Sequence, residues 1–408
     1  MSGSNANLIG GNRASGARGG IVLADRVESI AYEIRDIVAR AKKVEATGKK
    51  IHWFNIGDPN QYGFKPPELI TNAIIEALRN PKYTAYCPSE GDPELRAAVG
   101  KIEGVMAERV FITSGLSEGI DFLFQALVNP GENILLPSPS YPLYNTKLKV
   151  CGGTDNYYLT DSNFMPDIDD LRRKVNAKTK AIAVINPNNP TGATYPRSVL
   201  KEIVNIAGEH SLPIIADEIY DKMTLDEGSV TNLRTLTGDL PLISGNGLSK
   251  NFIYPGSRVG YLALHGEGMD PLKDALTKLC NQRLSVNWEM QRGALAAFTM
   301  PPSHLEKTRA ELRARRDIVY KGLNSIPGIS CAKPTAAFYS FPRVESGKFA
   351  TDKDFVYKLL EETGVLVVPG SAFSPVLPGK FFRLVFLAPP RELEEAMGKI
   401  ADFVKKNA

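Results

Sequence analysis

Lys250 is the residue best placed to do chemistry. It ends the run Ser244-Gly-Asn-Gly-Leu-Ser-Lys250, which follows the apolar segment Pro241-Leu-Ile243. Arg258 lies eight residues on, and Val259-Gly-Tyr-Leu-Ala-Leu264 then reads as another buried strand. An amine in a tight loop between two buried strands is costly unless its charge or its nucleophilicity is used. Taken alone it could be an ordinary surface lysine, since most are. Asp217 follows Pro213-Ile-Ile-Ala216, so a carboxylate is expected at the end of a buried strand, where it needs a cation or hydrogen-bond donors. Helix capping is the plainer role for it.

Three further segments fall at comparable places. Ser114-Gly115-Leu116-Ser117 joins a strand to a helix, an arrangement whose free N–H groups suit a phosphate but which also describes a serine-capped turn. Pro139-Ser-Tyr141-Pro-Leu-Tyr144 offers aromatic faces, or simply a rigid turn. Asn188-Asn189-Pro-Thr-Gly192 is built wholly of turn formers.

The elements that must position these residues alternate. Val110–Thr113, Asn133–Leu136, Ala181–Ile185, Leu212–Ala216 and Pro241–Ile243 are short apolar runs, most of them followed by turn residues and a helical pattern. Such a series predicts an α/β fold, a three-layer arrangement with a mostly parallel sheet covered on both faces. Ligands bind such sheets outside the carboxyl ends of the strands, where Gly115, Leu116, Ser117, Tyr141, Asn189, Asp217, Tyr220, Ser249, Lys250 and Arg258 all fall. Residues 21–47 read as one helix with Ile30, Ile34, Ile37, Val38 and Ala41 on one face, and 286–323 as a long helical stretch. The last third reads as a smaller α+β unit. The expected division is a disordered tail over 1–20, a discontinuous small domain of 21–60 with 290–408, and a large domain over 61–289.

Composition narrows the function. The 408 residues carry 49 basic and 45 acidic side chains, scattered along the chain with no basic arm, so nucleic acid is not an expected partner. Four dispersed cysteines and four dispersed histidines match no metal spacing, and reduced thiols in a cytoplasmic protein are expected. No apolar run approaches the roughly 18 residues of a membrane span. Dinucleotide and GxxxxGK[ST] phosphate motifs are absent.

Taken together, Asn189-Pro-Thr-Gly192, Asp217-Glu-Ile-Tyr220, Ser249-Lys250 with Arg258, and Phe382-Arg383-Leu384 resemble the pyridoxal-phosphate aminotransferases of fold type I. The resemblance runs from about Ile30 to the C-terminus. Asn55-Ile-Gly57-Asp-Pro59, Tyr86 to Gly91, Pro187–Ala193 and Asn246–Lys250 are most similar to the alanine aminotransferase-like subgroup. The resemblance implies pyridoxal 5'-phosphate as cofactor, bound through a Schiff base on Lys250, which also carries protons. It implies that Asp217 pairs with the pyridine nitrogen, that Asn189 and Tyr220 bond the phenolic oxygen, and that Tyr141 stacks on the ring. Arg258, Ser249, Ser117, Gly115 and Leu116 would hold the phosphate, joined by Tyr86 of a second subunit in a homodimer. Arg383, with Gly57 and Asn189, would take the substrate α-carboxylate.

The implied reaction moves an amino group between an L-amino acid, alanine favoured, and a 2-oxo acid such as 2-oxoglutarate or pyruvate. A β-eliminating lyase or an oxygen-using oxidase on the same cofactor is the first alternative, and a non-catalytic ligand sensor the second. Arg26 and Arg283 are the two candidates for reading a second carboxylate. Departures from the family pattern are Gly247, where many relatives carry a phosphate-binding hydroxyl, Ser257, and Pro334-Thr-Ala336, where a glycine is usual.

Overall fold

The computed structural model describes residues 21–407 apart from Val22, Ser29, Ala31 and Tyr32, so the tail expected over 1–20 lies outside the described residues. A seven-stranded sheet runs in the order Val110–Ser114, Val259–His265, Leu242–Gly247, Ile214–Asp217, Thr179–Ile185, Asn133–Pro137, Tyr157–Tyr158. Only Val259–His265 is antiparallel to its neighbours, and the other pairings are parallel.

Alternate residues of each strand point to opposite faces, and both faces are apolar here, which is why the strands read as unbroken hydrophobic runs. Ala181, Ala183 and Ile185 pack with Ile120, Leu123 and Leu148 on one side. Ile182 and Val184 pack with Leu200, Ile203 and Ile206 on the other. The helices supplying those partners are Leu116–Leu127, Pro142–Val150 and Arg197–Glu209.

A second, antiparallel sheet gathers Tyr339–Ser340, Lys380–Val385, Arg343–Val344, Ile329–Ser330 and Val368–Pro369. His52–Trp53 pairs with Val365–Leu366 beside it. Ile37, Ala41, Ile51 and Phe54 from the start of the chain share a core with Phe355, Leu384, Leu393 and Phe403 from its end.

Three local expectations are corrected. The helix expected over 21–47 is two pieces, Asp25–Glu28 and Glu33–Glu45, with Ile30 in neither. The stretch over 286–323 is also broken, into Trp288–Thr299 and Glu306–Asn324. Pro301-Pro302 lies at the break, and a proline disfavours helical backbone in the residue before it. Ser244-Gly-Asn-Gly247 continues the Leu242 strand instead of forming a loop. Glycine is needed at 247 because the adjoining strand leaves no room: a side chain there would lie 2.7 Å from the Val259 carbonyl oxygen.

Candidate active site

The carboxyl ends of the parallel strands, together with residues from both ends of the chain, enclose a cavity of about 520 Å³. Lys250 reaches it from a turn just past the Leu242–Gly247 strand, and its Nζ donates to the Gly57 carbonyl oxygen at 2.7 Å. Burial of the amine lowers the pKa to about 8, with Asp58 pulling it up and the Arg383 and Arg258 charges pushing it down. A larger fraction of neutral amine at neutral pH follows, which is what a nucleophile or base requires.

Behind the lysine a polar clamp fixes its turn. Asp221 Oδ1 accepts from Asn246 Nδ2 at 3.0 Å and from Asn251 Nδ2 at 2.6 Å, so one carboxylate holds residues on either side of Lys250. Nothing in the sequence marked Asp221 beyond its place after Tyr220.

Asp217 ends its strand at the cavity floor, 5 % exposed. Its Oδ2 accepts from Tyr144 Oη at 2.9 Å and its Oδ1 from the Ile219 N–H at 3.1 Å. Burial outweighs these two bonds and raises the pKa to about 6. No ion pair engages it among the described residues, so its electrostatics fit an incoming cation such as a protonated ring nitrogen. Tyr144 was missed as a partner, although its spacing from Tyr141, one helical turn, was available.

At the opposite wall the helix Leu116–Leu127 begins with no side-chain cap, so the serine-capped turn is not what forms. Leu116 and Ser117 line the cavity at this helix end, and Ser249 and Arg258 join them. Arg258 has left-handed backbone, φ 51°, and its guanidinium donates to the Pro255 and Ser114 carbonyl oxygens. Glycine suits position 115: its φ of 69° is one that side-chain-bearing residues rarely adopt, and a Cβ there would sit 2.2 Å from Arg258 Nη2, so the guanidinium would have to shift. An uncapped helix end beside a guanidinium is a fitting seat for a dianionic phosphate.

Arg383 approaches from the Lys380–Val385 strand and is 3 % exposed. Its Nη1 donates to Asn189 Oδ1 at 3.0 Å and its Nη2 to the Asn55 carbonyl oxygen. The rings of Tyr339 and Phe373 flank it at 4.8 and 4.6 Å. Tyr141 lines the same cavity, and Tyr220 Oη lies 2.6 Å from Tyr339 Oη.

Other residues fall elsewhere. Tyr86 lies outside this cavity, 80 % exposed, in a surface groove with Leu78, Tyr83 and Trp288. Arg283 is spent on Glu118 at 2.7 Å and on the Ser89 carbonyl oxygen, and does not line the cavity. Arg26 is exposed on the Asp25–Glu28 helix, which packs on Pro142–Val150. Ser257 is buried and donates to the Tyr254 carbonyl oxygen at 2.8 Å, so its small size bears on packing. The positive φ near the missing glycine falls on Ala337, at 57°, one residue past Ala336.

Among the described residues no cluster of His, Cys, Asp and Glu could hold a metal, and no helix is long and apolar enough to cross a membrane. All four cysteines are free.

Residues 49–400 match the family of class I and II aminotransferases. Glutamate-pyruvate aminotransferase AlaA of Haemophilus influenzae is 38% identical over 397 residues, 93% of this chain and 97% of that protein. Alanine aminotransferase of Mycobacterium tuberculosis is 37% identical over 395 residues, covering 93% and 91%. Among solved structures, alanine aminotransferase from Pyrococcus furiosus superposes with a TM-score of 0.91 at 42% identity, over 94% of this chain and all of that one. Aspartate aminotransferase from Thermus thermophilus with maleate superposes with a TM-score of 0.84 at 28% identity, again over 94% of this chain. With a match spanning most of its length and a cavity that suits the cofactor, the chain belongs to the class I and II aminotransferases, pyridoxal-phosphate enzymes of fold type I.

Proposed function

We propose that the protein transfers an amino group between alanine and 2-oxoglutarate, giving pyruvate and glutamate, and runs the reverse exchange as well. The single observation that carries this reading is the convergence of Lys250, Asp217 and Arg383 on one cavity. The names of the similar proteins, alanine and glutamate-pyruvate aminotransferases, support the choice of substrates.

Pyridoxal phosphate, when bound, supplies an aldehyde for the amine and a ring that withdraws electrons from the substrate Cα. Lys250 Nζ would hold that aldehyde and, once released as a partly neutral amine, could move the proton at the substrate Cα. Asp217 would pair with the pyridine nitrogen and favour its protonated form, and Tyr144 keeps Asp217 in place. Tyr141 would cover the ring face, and Asn189 and Tyr220 would bond its phenolic oxygen. Gly115, Leu116, Ser117, Ser249 and Arg258 would seat the phosphate. Arg383 takes the α-carboxylate in a planar, two-pronged grip that lysine could not reproduce, with Gly57 and Asn189 beside it.

The assembly of the domains and subunits is part of the same proposal. Two units, 21–60 with 290–408 and 61–289, meet at the cavity. Tyr86, exposed among Leu78, Tyr83 and Trp288, reaches the phosphate of a second copy in a cytoplasmic homodimer. Neither Arg26 nor Arg283, the two candidates for a second carboxylate, lines the cavity, and Arg283 is committed to Glu118.

A half-reaction screen tests this reading. Each amino acid is added to the loaded enzyme without an acceptor, and the absorbance of the aldehyde form is followed with and without oxygen. Alanine and glutamate should convert it to the pyridoxamine form fastest, with no oxygen uptake. Ammonia release with pyruvate, or oxygen consumption, would refute the assignment.

A further inference from the structure

Tyr339 joins the two sides of the cavity, touching Tyr220 on one and Arg383 on the other. It lines the cavity yet is only 2 % exposed. On one side its Oη lies 2.6 Å from Tyr220 Oη, with the rings nearly perpendicular at 82°. On the other, its ring faces the Arg383 guanidinium at 4.8 Å. The backbone holds it firmly. Tyr339 pairs with Val385 in the second sheet, and the Ala337 N–H donates to the Met223 carbonyl oxygen at 2.9 Å where the chain turns with positive φ.

Two hydroxyls at this distance share one hydrogen bond, and the proton of either can occupy it. Each hydroxyl has one proton to give and two lone pairs. If Tyr220 spends its proton on Tyr339, it has none to offer the cavity. If Tyr339 is the donor, the Tyr220 proton is directed inward, and Tyr220 becomes a better donor because it also accepts. We infer that Tyr339 is a positioning residue: it donates to Tyr220 so that Tyr220 donates to the cofactor's phenolic oxygen, and the same ring holds Arg383 flat for the substrate carboxylate.

This inference rests on the proposed pyridoxal-phosphate role of Tyr220. The titratable and charged groups that face Tyr220 are Tyr339, Tyr141, Arg383 and Lys250, whose Nζ lies 5.9 Å from its ring centre. Donation to the phenolic oxygen favours its anionic form, so weaker donation moves the protonation of the bound cofactor to higher pH.

The test is the pH titration of the bound cofactor's absorbance, without substrate, in the loaded wild type, Tyr220→Phe, Tyr339→Phe and the double variant. Tyr220→Phe should raise the midpoint, and Tyr339→Phe should raise it by about one pH unit, the effect of one hydrogen bond. The double variant should go no higher than Tyr220→Phe alone, because the two act in series. Replacing Tyr339 by 2,3-difluorotyrosine, a stronger donor of nearly the same shape, should lower the midpoint and guards against a Tyr339→Phe protein that folds poorly. A purely packing role would lower Tm and leave every midpoint unmoved. An unmoved midpoint in Tyr339→Phe or the fluorinated protein, or additive shifts in the double variant, overturns the inference. Failure of the wild type itself to form a Lys250-dependent absorbing complex overturns the functional reading beneath it, and is told apart by appearing without any change at Tyr339.

Discussion

The two ends of the cavity are built differently. The end proposed to seat the phosphate comes from turns short in sequence: Gly115–Ser117 opens one helix, and Ser249 and Arg258 flank one excursion between adjoining strands. The end proposed for the substrate carboxylate joins Asn55 and Gly57 from near the start of the chain, Asn189 from its middle, and Tyr339, Phe373 and Arg383 from its last third. One end is held by local backbone and the other by tertiary packing. The first should tolerate changes that keep the charge, and the second should not tolerate changes in shape.

Arg383→Lys is the sharpest way to break this contrast. Lysine cannot lie flat between Tyr339 and Phe373 while donating to both Asn189 and the Asn55 carbonyl oxygen. We expect kcat/KM to fall by about 100-fold for every amino acid alike, read from initial rates over a donor series. A loss confined to one donor would mean that Arg383 reads a side chain.

Asp217→Asn probes the cofactor end through stability. In the cofactor-free protein the Asp217 pKa is raised to about 6 from 3.8. Between those values the native state binds more protons than the unfolded one, so stability is present at low pH and is lost as pH rises through about 6. The shift corresponds to about 3 kcal/mol. Urea unfolding of the cofactor-free protein from pH 4 to 7 should show a decline in the wild type that is flatter by about that amount in Asp217→Asn.

The smallest effect is expected at Arg258→Lys. The point charge beside the helix end survives, so the Kd for the cofactor should rise by roughly tenfold or less, with kcat unchanged at saturating cofactor. Equilibrium dialysis gives the first quantity and steady-state rates the second. A loss as large as that of Arg383→Lys would erase the distinction between the two ends.

The same difference governs what could be read from the sequence. Buried parallel strands announce themselves as short apolar runs, and the residues just beyond them fall at one sheet edge, so Lys250, Asp217 and the Gly115–Ser117 turn were legible. Arg383 was legible only by resemblance. Tyr339, Phe373 and Asn55 were not legible as site residues: pairing 21–60 with 290–408 brings the two ends of the chain together, but nothing local says which of their side chains will face Arg383. Gly247 shows the opposite limit. Its glycine suggests a turn or a lost phosphate contact, but it lies in a strand whose neighbour, at Val259 and Gly260, leaves no room for a side chain. Arg283 looked available as a substrate reader, and only tertiary structure reveals that Glu118 already holds it.

The central claim is that Lys250 carries the cofactor. Borohydride reduction of the loaded protein, followed by peptide mapping, tests it most directly. The account predicts one pyridoxyl-bearing peptide, containing Lys250, and none in Lys250→Ala. A label on another lysine, or an undiminished label in Lys250→Ala, would contradict it.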